Sequence, residues 1–485
     1  MIAAVCFVIL GISVAIALLA KIGVKEKGIG QFLVGGRTFP SWLLYFLAVG
    51  EVYSVGTMIA FPGAIYEKGA SYGIWFLGYI LLAYPLGYFL TPLIWRAGKR
   101  HDALTVPDVF GRHFDSRTLE LLSTLVMFLS MVTLGAYQLV GLQVVLGALG
   151  IGLSPVTTIL IGCAAAFVYV AFTGMRSPAL VAVFKDFVML AGIAAVGVAA
   201  VAADGGFANA FRARTGSLLT HAAAPVVGQP MVFALTTIVI QAVVFYLSAS
   251  AQLVFPAKSE KSISSSIVWM PVYMLMYVFL VFASYYAIHA YPDVREPDTI
   301  FMVMSRDLLP EWLVGVVAGG AVLAGVMTMG VIGLGLSGVV IRNVVPNVRV
   351  GAQRPWSVGV IAAFMVLSAV LAYYGQSLAV LILNFANMLL GQLVPGWVAV
   401  LWQRRVNPNA LSAGIVAGLL LSLYFYVSTP ALGGISAALV AMVVNFAVVY
   451  AWSALRPGTE RQPVARTGPH ATAGVERSPA RGIRS

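Results

Sequence analysis

The sequence predicts an all-α integral membrane protein of about thirteen transmembrane helices. Three observations carry that prediction. Of 485 residues, 60% are hydrophobic and only 9% are charged, whereas a soluble domain carries about 25% charged residues. Thirteen apolar runs reach the length a helix needs to cross the hydrocarbon core, about 20 residues. Basic residues also alternate between the connecting segments, as they do when cytosolic loops retain Lys and Arg.

The runs fall near 2–21, 41–66, 70–95, 120–148, 153–173, 180–203, 231–255, 267–290, 313–341, 356–375, 377–402, 408–428 and 431–454. The first begins at once, with no basic segment before it and no small-residue cleavage site after it, and reads as a retained span. With the N-terminus outside, 24 of the 29 Lys and Arg residues fall on the cytosolic side or in the tail. The outside keeps Lys68, Arg212, Arg214, Arg295 and Arg306. An odd number of spans then puts the C-terminus in the cytosol of a cell whose inner or plasma membrane holds the chain. The net charge of +12 is a topology signal plus a basic tail, and no nucleic-acid partner is expected. By composition the chain divides into a leading helix and linker (1–40), a first helical unit (41–203), an outside loop (204–230), a second unit (231–403), trailing helices (404–454) and a disordered basic tail (455–485).

Few residues carry chemistry. Cys6 and Cys163 lie in apolar runs, and the five histidines lie in loops, at a span edge or in the tail. Neither set suggests a metal centre or an enzyme active site. Ionisable residues inside spans are rare and mark pathways, since a charge at a helix centre costs about 2.5–3.5 kcal/mol. The second span holds one, Glu51, among Gly50, Gly56 and Pro62, with hydroxyls at Ser54 and Thr57. Glycine and proline weaken a helix there. An interrupted helix frees backbone groups for an ion or a solute, although Gly and Pro also serve close packing of membrane helices. The sixth span holds Lys185 and Asp186. They read either as a coupling pair or as a juxtamembrane pair with Lys185 reaching for the interface. Tyr137, Gln138 and Gln143 in the fourth span and Gln241 and Tyr246 in the seventh are polar; each either lines a cavity or joins helices. The ninth span is glycine-rich and holds Thr328 and Ser337.

Several strings together resemble the sodium:solute symporter family. They are QFLVGGRTFPSWLL (31–44), FPGAIYEKGASYGIWFLGY (61–79), TVPDVFGRHF (105–114), TGMRSPALVAVFKD (173–186), AQLVFPAKSEKS (251–262) and LVPGWVAVLWQRRVNPNALSAGIVAG (393–418). The resemblance implies two inverted five-helix repeats, spans two to six and seven to eleven, with discontinuous first and sixth core helices. It implies a small-molecule solute held at the bilayer midplane between them, with Ser54, Thr57, Tyr137, Gln138, Gln241 and Tyr246 as candidate contacts. It implies a sodium ion held by carbonyls of Gly50, Tyr53 and Ala324 and by side chains at Met327 and Thr328. A methionine departs from that pattern, because a hard cation prefers oxygen to a thioether. The alternative is proton coupling through Glu51, Lys185 and Asp186.

For the solute, the 174–186 segment looks closest to the monocarboxylate branch; proline-type amino acids and pantothenate are the alternatives. A transporter-like membrane sensor is the rival of another class. Neither the charge rings of a channel nor the clustered acids and bases of an enzyme are visible.

Overall fold

The computed structural model describes residues 1–21, 42, 43, 45, 46, 49, 53–152, 154–171, 176–206, 229–249, 254, 255, 257, 259–345, 348, 350–375, 379–430 and 432–466. Seventeen α-helices form among them: α1 (Ile2–Lys21), α2 (Val55–Lys68), α3 (Ala70–Arg100), α4 (Val106–Phe114), α5 (Arg117–Gly147), α6 (Pro155–Ala171), α7 (Arg176–Ala203), α8 (Gln229–Val244), α9 (Glu260–Tyr273), α10 (Met276–Ala290), α11 (Ile300–Leu308), α12 (Glu311–Asn343), α13 (Val350–Tyr374), α14 (Ala379–Leu390), α15 (Val394–Trp402), α16 (Pro408–Ser428) and α17 (Ala437–Leu455). Eleven stretches of the described residues are long and apolar enough to span a bilayer. Two of these join consecutive helices, α9 with α10 and α14 with α15. The two remaining runs hold α6, of 17 residues, and the interrupted span that ends in α2, of 14.

Burial orders the helices from centre to edge. In the most apolar window of α12, 94% of residues are buried, against 22% in α1 and 28% in α17. The glycines of α12 explain its central place. A methyl group on Gly325 would stand 2.8 Å from Cγ of Leu142 and 3.0 Å from Cγ1 of Val55. Only a residue without a side chain lets α5 and α2 approach α12 that closely.

Two nine-residue helices, α4 and α11, were not legible as spans. α4 follows α3, which occupies the third apolar run, and α11 follows α9–α10, which occupy the eighth. The string TVPD at the start of α4 is a capping signature. The Thr105 hydroxyl accepts from Asp108 N at 3.2 Å, and Pro107 sits in the first turn, where no N–H is missed. Asp108 Oδ2 accepts from Leu104 N at 3.0 Å and from Arg342 Nε at 2.8 Å, and its Oδ1 accepts from Asn343 at 2.8 Å. Asn343 also donates to Glu120 at 2.9 Å. One buried carboxylate thus ties α4 to the C-terminal end of α12.

The composition assigns 455–485 to a disordered tail, and the structure corrects this as far as residue 466. Arg461 donates through its backbone to Arg404 O and through its guanidinium to Phe114 O, each at 2.8 Å, and Val464 is fully buried. An apolar anchor and satisfied backbone bonds hold the strap against α4. The rest of the tail and the 207–228 part of the outside loop lie outside the described residues.

Candidate functional site

The second span is interrupted. Ser54 is extended (φ −111°, ψ −171°) and begins α2, yet its hydroxyl makes no capping bond. Thr57 N turns back to Ser54 O at 3.0 Å. The seventh span departs from α-helical geometry at Phe245–Ala249, a π turn. Such turns mark functional positions in many helices.

Between these two irregular points lies a cavity of about 90 Å³. Its polar lining is Ser54, Thr57, Tyr137, Gln138, Gln241, Thr328 and Asn387. Phe76, Tyr79, Leu134, Phe245, Ile332 and Leu383 complete it. Gln241 Nε2 donates to Asn384 Oδ1 at 2.7 Å, which sets that amide's orientation. Gln138 Oε1 and Gln241 Oε1 have no protein partner among the described residues. The Tyr137 ring lies over Gly56 so closely that a methyl group there would meet Cζ at 2.0 Å. That contact explains one of the glycines in the interrupted span.

Six of the residues read from the sequence therefore meet in one cavity: Ser54, Thr57, Tyr137, Gln138, Gln241 and Thr328. Tyr246 does not join them, and this corrects the expectation. Its ring covers Gly87, and its hydroxyl lies 3.7 Å from Met270 Sδ. Phe245, four residues after Gln241, takes the cavity-facing position instead. Gln143 lines a separate, peripheral cavity. Gly50 and Glu51 lie outside the described residues. Asn387 and Asn384 were missed, although two asparagines at i and i+3 in an apolar run were a visible signal.

Beside the cavity stands an aromatic wall. Tyr53 stacks on Tyr273 with centroids 4.7 Å apart and hydrogen-bonds Tyr84 through its hydroxyl; Tyr277 meets Phe61 edge-on at 4.9 Å. This wall joins the interruption to α3, α9 and α10. Behind it, Lys185 of α7 is fully buried. Its ammonium donates to the Tyr53 carbonyl at 3.0 Å and pairs with Asp186 Oδ1 at 2.8 Å. Lys185 thus does not reach for the membrane interface. A sodium ion at this position would need the Tyr53 carbonyl, which is already occupied. Met327 is buried at one of the two side-chain positions, and Thr328 faces the solute cavity. These residues fit a sodium ion poorly. Ala324 is buried within α12.

The far end of α2 is held by the loop before α11. Tyr66 donates to Tyr291 O at 2.5 Å and accepts from Val294 N at 3.2 Å. Asp298 Oδ2 accepts from Ala379 N at 2.8 Å, which anchors the start of α14, while Oδ1 packs on Gly63. Burial pushes the Asp298 carboxyl up to about 7, against the opposing pull of the Ala379 N–H. No group of three or more His, Cys, Asp or Glu suited to a metal occurs among the described residues.

The model of the sodium:solute symporter family matches residues 32–418. An uncharacterised symporter of Bacillus subtilis, YhjB, is 26% identical over 93% of this chain and 96% of its own length. A monocarboxylate transport permease protein of Rhizobium johnstonii is 27% identical over 59% of this chain and 58% of its own. The Escherichia coli sodium/pantothenate symporter is 26% identical over 38% of this chain and 39% of its own. Among solved structures, the substrate-bound, outward-open state of a Na⁺-coupled sialic acid symporter superposes with a TM-score of 0.76, at 14% identity, over 95% of this chain and 99% of that one. MhsT in complex with L-phenylalanine superposes with a TM-score of 0.54, at 10% identity, over 84% of this chain and 98% of that one.

Proposed function

The chain belongs to the sodium:solute symporter family, and on that premise we propose that it is a secondary active transporter that imports a small monocarboxylate by alternating access. The observation that carries this reading is the cavity between the two interrupted spans. Its volume of about 90 Å³ is well below the 300–1,000 Å³ of pockets for drug-sized ligands. Hydroxyls and amides line it, with no charged side chain. A sugar would demand more polar partners, and a dianion more positive charge. The N-terminus of α2 opens beside Ser54 and Thr57, and a helix N-terminus favours a carboxylate. The uncapped Ser54 hydroxyl adds a donor. The relative named as a monocarboxylate transport permease supports the same class of solute.

The test is uptake into proteoliposomes of radiolabelled short-chain monocarboxylates, proline and pantothenate, under imposed ion gradients. The expected result is concentrative uptake of a monocarboxylate that neither proline nor pantothenate competes away. Preferential uptake of either of those compounds overturns the assignment of the solute. Binding with no accumulation under any gradient favours a sensor.

A further inference from the structure

We infer that Lys185 is a tethered cation, fixed where the family's fold places sodium, and that this chain moves its solute without co-transporting sodium. The inference rests on the transporter reading above and goes beyond it to the coupling ion.

The carbonyl of Tyr53 precedes α2, outside its helical ladder. A carbonyl freed by an interrupted helix is a cation ligand. Here the cation is an ammonium, 3.0 Å away. Lys185 is fully buried, and a buried charge persists only when it is paired and hydrogen-bonded. Asp186, 2.8 Å away and also fully buried, supplies the pairing, and the Tyr53 carbonyl supplies a further bond. The pair is electrically neutral, so nothing at the site calls for a second cation. Of the two side-chain positions, Met327 offers a thioether, which suits sodium poorly, and Thr328 alone offers an oxygen, in the wall of the solute cavity.

The consequence is specific. A bound sodium does two things: it joins the interrupted helix to its neighbours, and it crosses the membrane. A lysine can do the first, since it links α7 to the interruption. It cannot do the second, because it is covalently part of α7.

Thermal melts of the purified full-length chain, in sodium chloride against choline chloride, test this directly. The wild type should show no sodium-specific shift. The double variant Lys185→Ala with Asp186→Asn removes both charges and leaves no unpaired partner. It should gain a sodium-specific rise in Tm of a few degrees, which adding Thr328→Ala abolishes. A sodium-specific rise in the wild type that Thr328→Ala abolishes overturns the inference. So does a folded double variant that stays blind to sodium. Should the double variant not fold, the wild type in proteoliposomes decides. Radioactive sodium moving with the solute overturns the inference, and solute uptake unchanged on replacing sodium by choline supports it. A wild type that moves no solute counts against the transporter reading alone, because the melts need no transport.

Discussion

Asp298 shows how much one side chain can set. It lies in the loop between two spans, buried, with one oxygen on Ala379 N and the other on Gly63. Its folded pKa, about 7, stands above the ordinary aspartate value of 3.8. The folded state therefore keeps the proton through a window in which the unfolded chain has lost it. Stability falls as pH rises from about 4 to about 7 and levels off above that. Asp298→Asn keeps an acceptor for Ala379 N and removes the titration. Melts of the detergent-solubilised protein across that window should show a falling Tm for the wild type and a flatter profile for the variant. Equal slopes would show that burial does not perturb this carboxyl. At the same scale, the sequence disclosed the identity of most cavity residues and not their direction. Gln241 and Phe245 are one helical turn apart and share the cavity face. Tyr246 is a further 100° or so around the helix and points away. Lys185 is the sharper case. Its depth in the span was visible, but its partner is a carbonyl of the interruption before α2, which only the fold brings near.

The short helices show where hydropathy stops being informative. A span announces itself by length, and each of the thirteen apolar runs has a helical counterpart. α4 and α11 are nine residues each and carry polar residues on one face, so no window of spanning length finds them. α4 is held largely by polar bonds, which makes it testable. Asp108→Ala leaves Arg342 without its carboxylate, leaves Asn343 only Glu120, and removes the cap on Leu104 N. Breaking one side of a fully buried pair costs about 3–5 kcal/mol, and the partly open Arg342 puts the cost here below that. A substantial fall in Tm is expected. Arg405→Ala breaks an exposed pair with Glu460, which solvent screens, and should leave the Tm nearly unchanged. If both variants melt alike, the contacts to α12 are not what fixes α4.

Across the whole molecule, the sequence marked the chain's end as basic and unstructured, and the fold divides it. Residues 457–466 close over the end of the bundle that carries α4, through Arg461 and Val464. The signal was hidden because a single apolar residue in an Arg- and Pro-rich stretch carries the anchoring. A chain ending at Arg466 should keep the wild-type Tm and uptake. A chain ending at Arg456 should lose stability, since Phe114 O and the Arg404 and Arg405 carbonyls lose their donors. Paired melts of the two truncations separate strap from tail; equal losses would mean that the strap carries no load.

The two short helices are attached by different means, at sites far apart. α12 runs 33 residues from the α11 end to the α4 end, about 50 Å at 1.5 Å per residue. At one end, charge on charge secures α4, with Arg342 partly open to solvent. At the other, a carboxyl that titrates near neutrality secures the start of α14. Dissolved salt screens the partly open guanidinium at the first, and alkalinity puts a charge into the buried second. The two ends of α12 therefore answer to different properties of the water they face: one feels its saltiness, the other its acidity.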